Sequence, residues 1–357
     1  MTLLDVSPGV IAPSPVPSRT PAQWPVSETF ANPLYPGADP WVTRHGGAYY
    51  LCQATHGGQI VVSRSESPLH PGRRATVWTP PRRGWNRAQV WAPELHRIGD
   101  RWYIYYAASD GHNRNHRMGV LESVTDDAQG EYVDRGMIYT GDHVESGEGN
   151  RWAIDGTVLR LNGQLYFLWS GWHDHRDVQY LYIARMSNPW TVCSNRVRLC
   201  ANDTYRWERV SDSMEERGLN EAPQVIVRDG RVCVVYSCSG SWQPTYKLGL
   251  LHMDVAGDPM EAGSWVKHPL PLFESTPEVF GVGHCSFVES PDGREDWVIY
   301  HAKTSRRAGW SDRVVRAQPF TWSKDQLPHL GQPVPNGVAV GVPSGLHQEA
   351  RELAMAG

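Results

Sequence analysis

The chain has 357 residues, enough to bury a sizeable core in one large all-β domain or in two ordinary ones. Its formal net charge of -4, from 34 Lys and Arg against 38 Asp and Glu, lacks the basic field that phosphate-backbone binding requires, so nucleic acid is not an expected partner. No run of about 18 apolar residues occurs, which excludes a membrane-spanning helix.

Residues 1–30 form a Pro-rich segment with no Lys or Arg before Arg19, its apolar positions interrupted by Pro8, Pro13, Pro15, Pro17, Pro21 and Pro25. This reads as an extended arm and not as a signal peptide. The six cysteines contain no CxxC pair, and several sit in apolar runs where a free thiol packs as a small hydrophobe. The expectation is therefore a reducing, cytoplasmic location, or secretion if a leader has been trimmed away.

From residue 31 to 325 one phrase repeats. Its second strand is the clearest part: "GGAYYLCQA" from Gly46, "GDRWYIYYAA" from Gly99, "NGQLYFLWSG" from Asn162, "DGRVCVVYSCS" from Asp229 and "DGREDWVIYHA" from Asp292. Each opens on a Gly-containing turn suited to a tight hairpin and continues in β-branched or aromatic residues. A first strand precedes each turn, starting at "DPWV" (Asp39), "WAPEL" (Trp91), "DGTVL" (Asp155), "EAPQV" (Glu221) and "HCSFV" (His284). These origins lie 52, 64, 66 and 63 residues apart (39 to 91, 91 to 155, 155 to 221, 221 to 284), a period that fits one four-stranded propeller blade. Third strands follow as "QIVVSRS", "HRMGVLES", "QYLYIARMS", "YKLGLLHM" and "DRVVRAQPFTW", with "ATVWTP" and "GMIYTG" as candidate outer strands. No long amphipathic helix competes. The predicted fold is all-β, a single-domain five-bladed β-propeller, with a pair of β-sandwiches as the alternative. Residues 326–357 form a Pro/Gly-rich tail that packs on or near the propeller.

In a propeller the innermost strands line the channel and their leading residues reach its mouth. Asp39, Trp91, Asp155, Glu221 and His284 then converge from five blades. Gathering three carboxylates in one depression is costly through desolvation and repulsion, which points to a site.

These segments resemble glycoside hydrolase family 43, the five-bladed propellers that include arabinofuranosidases, xylosidases and arabinanases. "PGADPWV", "VWAPELH", "AIDGTVL", "NEAPQVIV" and "GVGHCSF" are similar to its core motifs in order, and the resemblance runs from about Asn32 to Trp322. It implies Asp39 as general base, Glu221 as general acid and Asp155 as the carboxylate that tunes and orients the acid. These roles agree with the physics of an inverting glycosidase, in which one carboxyl group protonates the leaving oxygen and the other activates water on the opposite face of the sugar. The resemblance further implies Arg313, five residues before Gln318, as a substrate contact, with Arg316 as the alternative. It also implies a structural calcium or other hydrated ion in the channel beside His284, which a lone channel histidine otherwise reads as a core residue. Trp91 is either a channel plug or a wall of the sugar pocket, and Trp172 a platform for the leaving sugar. Glu94 lies three residues into its strand and is assigned to hydrogen bonding within the fold. The histidine pairs His112/His116 and His173/His175 lack a third ligand at catalytic-zinc spacing and read as rim loops bordering the substrate.

The longer phrases around "VWAPELHRIGDRWYIYYAAS" and "GHCSFVESPDGREDWVIYHAK" are most similar to exo-acting α-L-arabinofuranosidases, and the insertions at 142–152 and 201–219 could wall an exo pocket. The expected partner is an oligosaccharide of arabinan or arabinoxylan type, met by a monomer or small homo-oligomer. The alternatives are a β-xylosidase or β-galactofuranosidase of the same fold, a retaining fructosidase-type propeller, whose Arg-Asp-Pro and Glu-Cys motifs this chain lacks, and a non-catalytic sugar-binding propeller.

Overall fold

The computed structural model describes residues 28–174, 176–210 and 218–346. Five antiparallel sheets are arranged as propeller blades. The first runs through Trp41–His45, Ala48–Ala54, Ile60–Ser65 and Arg73–Trp78; the second through Ala88–Ile98, Arg101–Ser109, Arg117–Ser123 and Tyr132–Met137. The third comprises Ala153–Leu161, Gln164–Trp172 and Gln179–Asn188, edged by Thr191–Val192 and Val197–Cys200. Asn220–Arg228, Arg231–Cys238, Lys247–Asp254 and Val266–Lys267 make the fourth. In the fifth, Phe280–Glu289, Asp296–Lys303 and Arg313–Trp322 are completed by Tyr35–Pro36 from the other end of the chain, which pairs with Val314 and Val315 and closes the ring. Just before it, Thr29–Ala31 pairs with Ala339–Gly341. The outer strand of the second blade is "YVDRGM", so the expected "GMIYTG" strand begins too late: the pairing with Gly119–Ser123 ends at Met137, where the chain turns inward to bury Ile138.

The second strands alternate so that both faces are buried, and five apolar clusters fill the five gaps between neighbouring blades. Trp102, Trp169 and Trp297, one from each of three second strands, are almost completely buried. At ~25 cal/mol per Å² of apolar surface, burying a side chain of that size contributes about 4–6 kcal/mol before entropy is counted. Packing between blades, more than hydrogen bonding within them, fixes how the inner strands face one another.

Those inner strands share a backbone device. Asp39, Ala92, Asp155, Ala222 and His284 all adopt the left-handed region, with φ of 50, 39, 54, 49 and 44°. For an L-residue this costs roughly 1–2 kcal/mol, so five repetitions mark a position held by the fold for a purpose. In blades two to five the pairing shifts register across this point, between Trp91 and Glu94, Ile154 and Thr157, Glu221 and Gln224, and Gly283 and Cys285. The resulting bulge turns the strand's first residues towards the channel mouth. This corrects the sequence alignment of two blades by one residue. Ala92 and Ala222, and not Trp91 and Glu221, are the true counterparts of Asp39 and Asp155.

Candidate active site

One cavity of about 790 Å³ lies at the mouth of the channel, and Asp39, Trp91, Asp155, Glu221 and His284 all line it. The convergence expected from five separate strands is thus present. The one-residue offset in the fourth blade has a local use: Ala222 donates its amide to Asp155 Oδ2 at 3.1 Å, while the preceding side chain, Glu221, is left to face the cavity.

The carboxylates occupy opposite electrostatic settings. Burial alone would raise Asp39, but Arg313 Nη1 at 2.9 Å, His284 Nδ1 at 3.2 Å and His301 Nδ1 at 3.2 Å from its Oδ1 outweigh burial and hold it far below the usual carboxylate range. Burial depresses both imidazoles, His301 to about 4, so near neutrality they act as hydrogen-bonding neighbours and Arg313 supplies the permanent positive charge. Glu221 is pushed up to about 7, first by burial and then by the charge of Asp39, against the hydrogen bonds it accepts from Tyr246 and Ser241 and the charge of Arg313. The Tyr246 hydroxyl donates to Glu221 Oε1 at 2.7 Å. Asp155 is likewise raised well above its ordinary value by burial, then by the charges of Glu221 and Asp39. Asp155 and Glu221 therefore titrate as a pair that retains a proton where Asp39 has long since lost its own.

Tyr246 is seated by an absence. A Cβ on Gly283 would lie 2.2 Å from Tyr246 Cε1, so glycine is the residue that lets the phenol ring approach the inner strand of the fifth blade. Tyr246 also stacks on His301 with centroids 5.7 Å apart and planes 10° from parallel. The partner of Glu221 and the partner of Asp39 thus support each other.

Arg313 reaches the pocket through Asp39, whereas Arg316 is buried and bonded to Asn336 Oδ1 and the Val334 carbonyl, which assigns it to holding the chain beyond the last blade. Trp91 is 37% exposed and stacks on buried His116 at 3.8 Å, so it walls the pocket and does not plug the channel. Trp172 does not line the cavity. It lies behind Trp152, stacked at 4.8 Å and 10°, and Trp152 presents the pocket face, because the chain at 150–153 crosses over the end of the Gln164–Trp172 strand. Glu94 is deep in the channel, accepting from Gln224 Nε2 at 2.5 Å and facing His96 Nε2 at 2.9 Å. His116 meets the carbonyls of Asn113 and Gln89, and His173 the hydroxyl of Tyr182; His175 lies outside the described residues.

Among the described residues no group of three or more His, Cys, Asp or Glu side chains could hold a metal ion directly. His284 Nδ1 already faces Asp39, and the one buried imidazole atom here without a hydrogen-bond partner is His301 Nε2. That donor set leaves no place for an ion held directly by three such side chains and is compatible with one held through water.

Reasoning from the sequence missed Tyr246, His301, Trp152, Trp242 and Trp310, all close to the carboxylates or lining the pocket. Three of these carry a signal. His301 is an ionisable residue within the apolar strand "DWVIYHAK", and Trp310 and Trp242 are large aromatics in Gly/Ser-rich loops, "AGWSD" and "SGSWQP".

A propeller whose inner strands bring a low-pKa carboxylate and a proton-retaining carboxyl pair to one pocket has the equipment of a glycoside hydrolase. The profile "Glycosyl hydrolases family 43" matches residues 30–328, and the chain belongs to that family. It is 33% identical over 327 residues to "Extracellular exo-alpha-(1->5)-L-arabinofuranosidase" of Streptomyces avermitilis, a match covering 87% of this chain and 65% of that protein. The protein of the same name from Streptomyces chartreusis is 32% identical over 284 residues, covering 77% of this chain and 82% of the relative. Among solved structures, the alpha-L-arabinofuranosidase from Lactobacillus brevis superposes with a TM-score of 0.77 at 30% identity, covering 87% of this chain and 98% of that one. The chain thus spans about two thirds of the Streptomyces avermitilis relative's length. Both Streptomyces relatives are named extracellular, which overturns the expectation of a cytoplasmic protein. Buried cysteines without CxxC pairing were a poor guide to compartment, since five of the six free thiols are simply packed in the core.

Proposed function

We propose that this chain is an inverting exo-acting glycosidase that releases terminal α-L-arabinofuranosyl residues from arabinan- or arabinoxylan-type oligosaccharides. The observation that carries the reading is the electrostatic division within one cavity. Asp39 is ionised at any working pH and suits a general base that activates water. Glu221, at about 7, keeps a proton for the departing oxygen. Asp155 orients the strand of the acid through the Ala222 amide and shares its proton load. Arg313 holds Asp39 in place and lies where a sugar hydroxyl would meet it, while Trp91 and Trp152 form apolar walls. The names of the curated relatives support arabinofuranose as the sugar. A channel ion beside His284, held through water, belongs to this reading as a structural element, and no chemical step passes through it.

The test is turnover of 4-nitrophenyl α-L-arabinofuranoside, β-D-xyloside and β-D-galactofuranoside, with NMR of the first anomer released. Arabinofuranoside cleavage with inversion is expected; a retained anomer would overturn the roles of Asp39 and Glu221.

Replacing Asp155 with asparagine keeps an acceptor for the Ala222 amide but removes a carboxyl group from the pair. Because the two carboxyl groups titrate together, taking one out of the pair should displace the basic limb of the kcat/KM profile. Full activity with an unmoved profile would take Asp155 out of the mechanism.

A further inference from the structure

A second groove, of about 810 Å³, adjoins the catalytic pocket and shares Asp39, Trp91, Ala92, Trp310 and Arg313 with it. Trp91 and the 57% exposed Trp310 form a rim between the two. The sign of charge changes across that rim. The catalytic pocket is lined by four acidic residues, Asp39, Asp155, Asp177 and Glu221, and one arginine. The second groove contains Arg74, Arg87 and Arg313, and its single acid, Asp39, is already paired with Arg313.

The local sequence deepens the contrast. Between Glu66 and Glu94 there is no Asp or Glu, yet Arg73, Arg74, Arg82, Arg83 and Arg87 all fall there, in a chain whose net charge is -4. All five are exposed. Arg74, Arg82 and Arg83 make no side-chain hydrogen bond or ion pair with any described residue. Arg87 is oriented by donating Nε to the Asp110 carbonyl at 2.7 Å, and it forms no ion pair within 4 Å, although the charge of Asp110 is near enough to feel it. Unpaired guanidinium groups along a sugar-sized groove are suited to carboxylates, which they can bind through two parallel N–H donors.

We infer that this groove binds the uronic-acid-bearing part of an acidic polysaccharide, so that the chain trims neutral terminal sugars from an anionic polymer. The inference rests on the glycosidase reading above and adds the class of polymer to it. A neutral terminal residue enters the acidic pocket, where a uronate would be repelled, and the carboxylates of the polymer settle across the Trp91–Trp310 rim on Arg74 and Arg87.

The experiment is affinity electrophoresis of the Glu221→Gln chain in gels carrying polygalacturonate or neutral debranched arabinan, at low and high sodium chloride. At low salt polygalacturonate should bind about five- to tenfold more tightly than arabinan, as two partly exposed arginine–carboxylate contacts would give. That advantage should vanish in high salt and in the Arg74→Gln/Arg87→Gln variant. Equal retention by both polymers, or a preference that survives salt or the double substitution, overturns the inference. Both arginines are exposed, so the variant is expected to fold, and a thermal melt checks it. Binding is read without turnover: an active arabinofuranosidase indifferent to polygalacturonate sinks this inference alone, and a chain that binds it but fails on the glycoside panel sinks only the proposed activity.

Discussion

Replacing Glu221 with glutamine is expected to lower kcat/KM on arabino-oligosaccharides by about 10³-fold, equivalent to ~4 kcal/mol of transition-state stabilisation. An alkoxide leaving group cannot depart from a sugar near neutral pH without a proton, and Glu221 is the carboxyl group whose burial keeps one available. A 4-nitrophenolate departs far more readily, so the loss on the 4-nitrophenyl glycoside should be much smaller. That difference between substrates separates a missing acid from a damaged pocket. Stability gives a second readout. A carboxyl group at about 7 in the folded chain, against an ordinary value near 4.5, binds its proton more tightly folded than unfolded. Its stabilising linkage is complete below the unfolded value and lost as pH rises through the folded one. The folded state then carries a cost of roughly 3 kcal/mol above pH 7, which glutamine removes. The variant should therefore melt several degrees higher than the parent at pH 8, with the gain shrinking towards pH 4. A variant that keeps more than a tenth of its oligosaccharide activity would remove Glu221 from the acid role.

Asp39→Asn is expected to be at least as damaging, by about 10³- to 10⁴-fold on every substrate, because the attacking water loses its base regardless of the leaving group. The near-isosteric amide leaves the contacts from Arg313, His284 and His301 with an oxygen to meet, so the fold should persist. Azide offers a direct check, since it is a nucleophile that needs no deprotonation and it can occupy the place of the water. Restored turnover giving a glycosyl azide of inverted configuration would identify the missing function as base catalysis. Near-normal hydrolysis by the variant without azide would refute the assignment. The two substitutions are thus separable by their dependence on leaving group and on added nucleophile.

The blade repeat was legible because hairpin turns with Gly and strands buried on both faces leave strong local patterns, and the three carboxylates were legible because a charge at the head of an apolar strand stands out. The register of Ala92 and Ala222 was not. A left-handed residue followed by a bulge has no composition of its own, and a conspicuous Trp91 or Glu221 beside a small alanine draws the alignment one position early. Trp172 was misplaced for a related reason: order in sequence cannot say which of two stacked indoles faces the solvent, and Trp152 arrives from a loop with no strand pattern. Tyr246 and His301 belong to the site only through the contact of two blades, 55 residues apart in sequence (246 to 301), so neither segment alone marks them.

The ring is closed by Tyr35–Pro36 lying against the third strand of the fifth blade, and Asp39 follows only three residues later. Asp39 is bonded to His301 and Arg313 of the fifth blade while its own strand begins the first, so the proposed base straddles the seam where the two ends of the circle meet. The proposed acid, Glu221, lies in the fourth blade, whose strands all come from one stretch of chain. A propeller that parts at its seam would keep four blades and its proton donor yet lose the alignment of water with sugar. Catalytic competence is in this sense a report on whether the circle is shut.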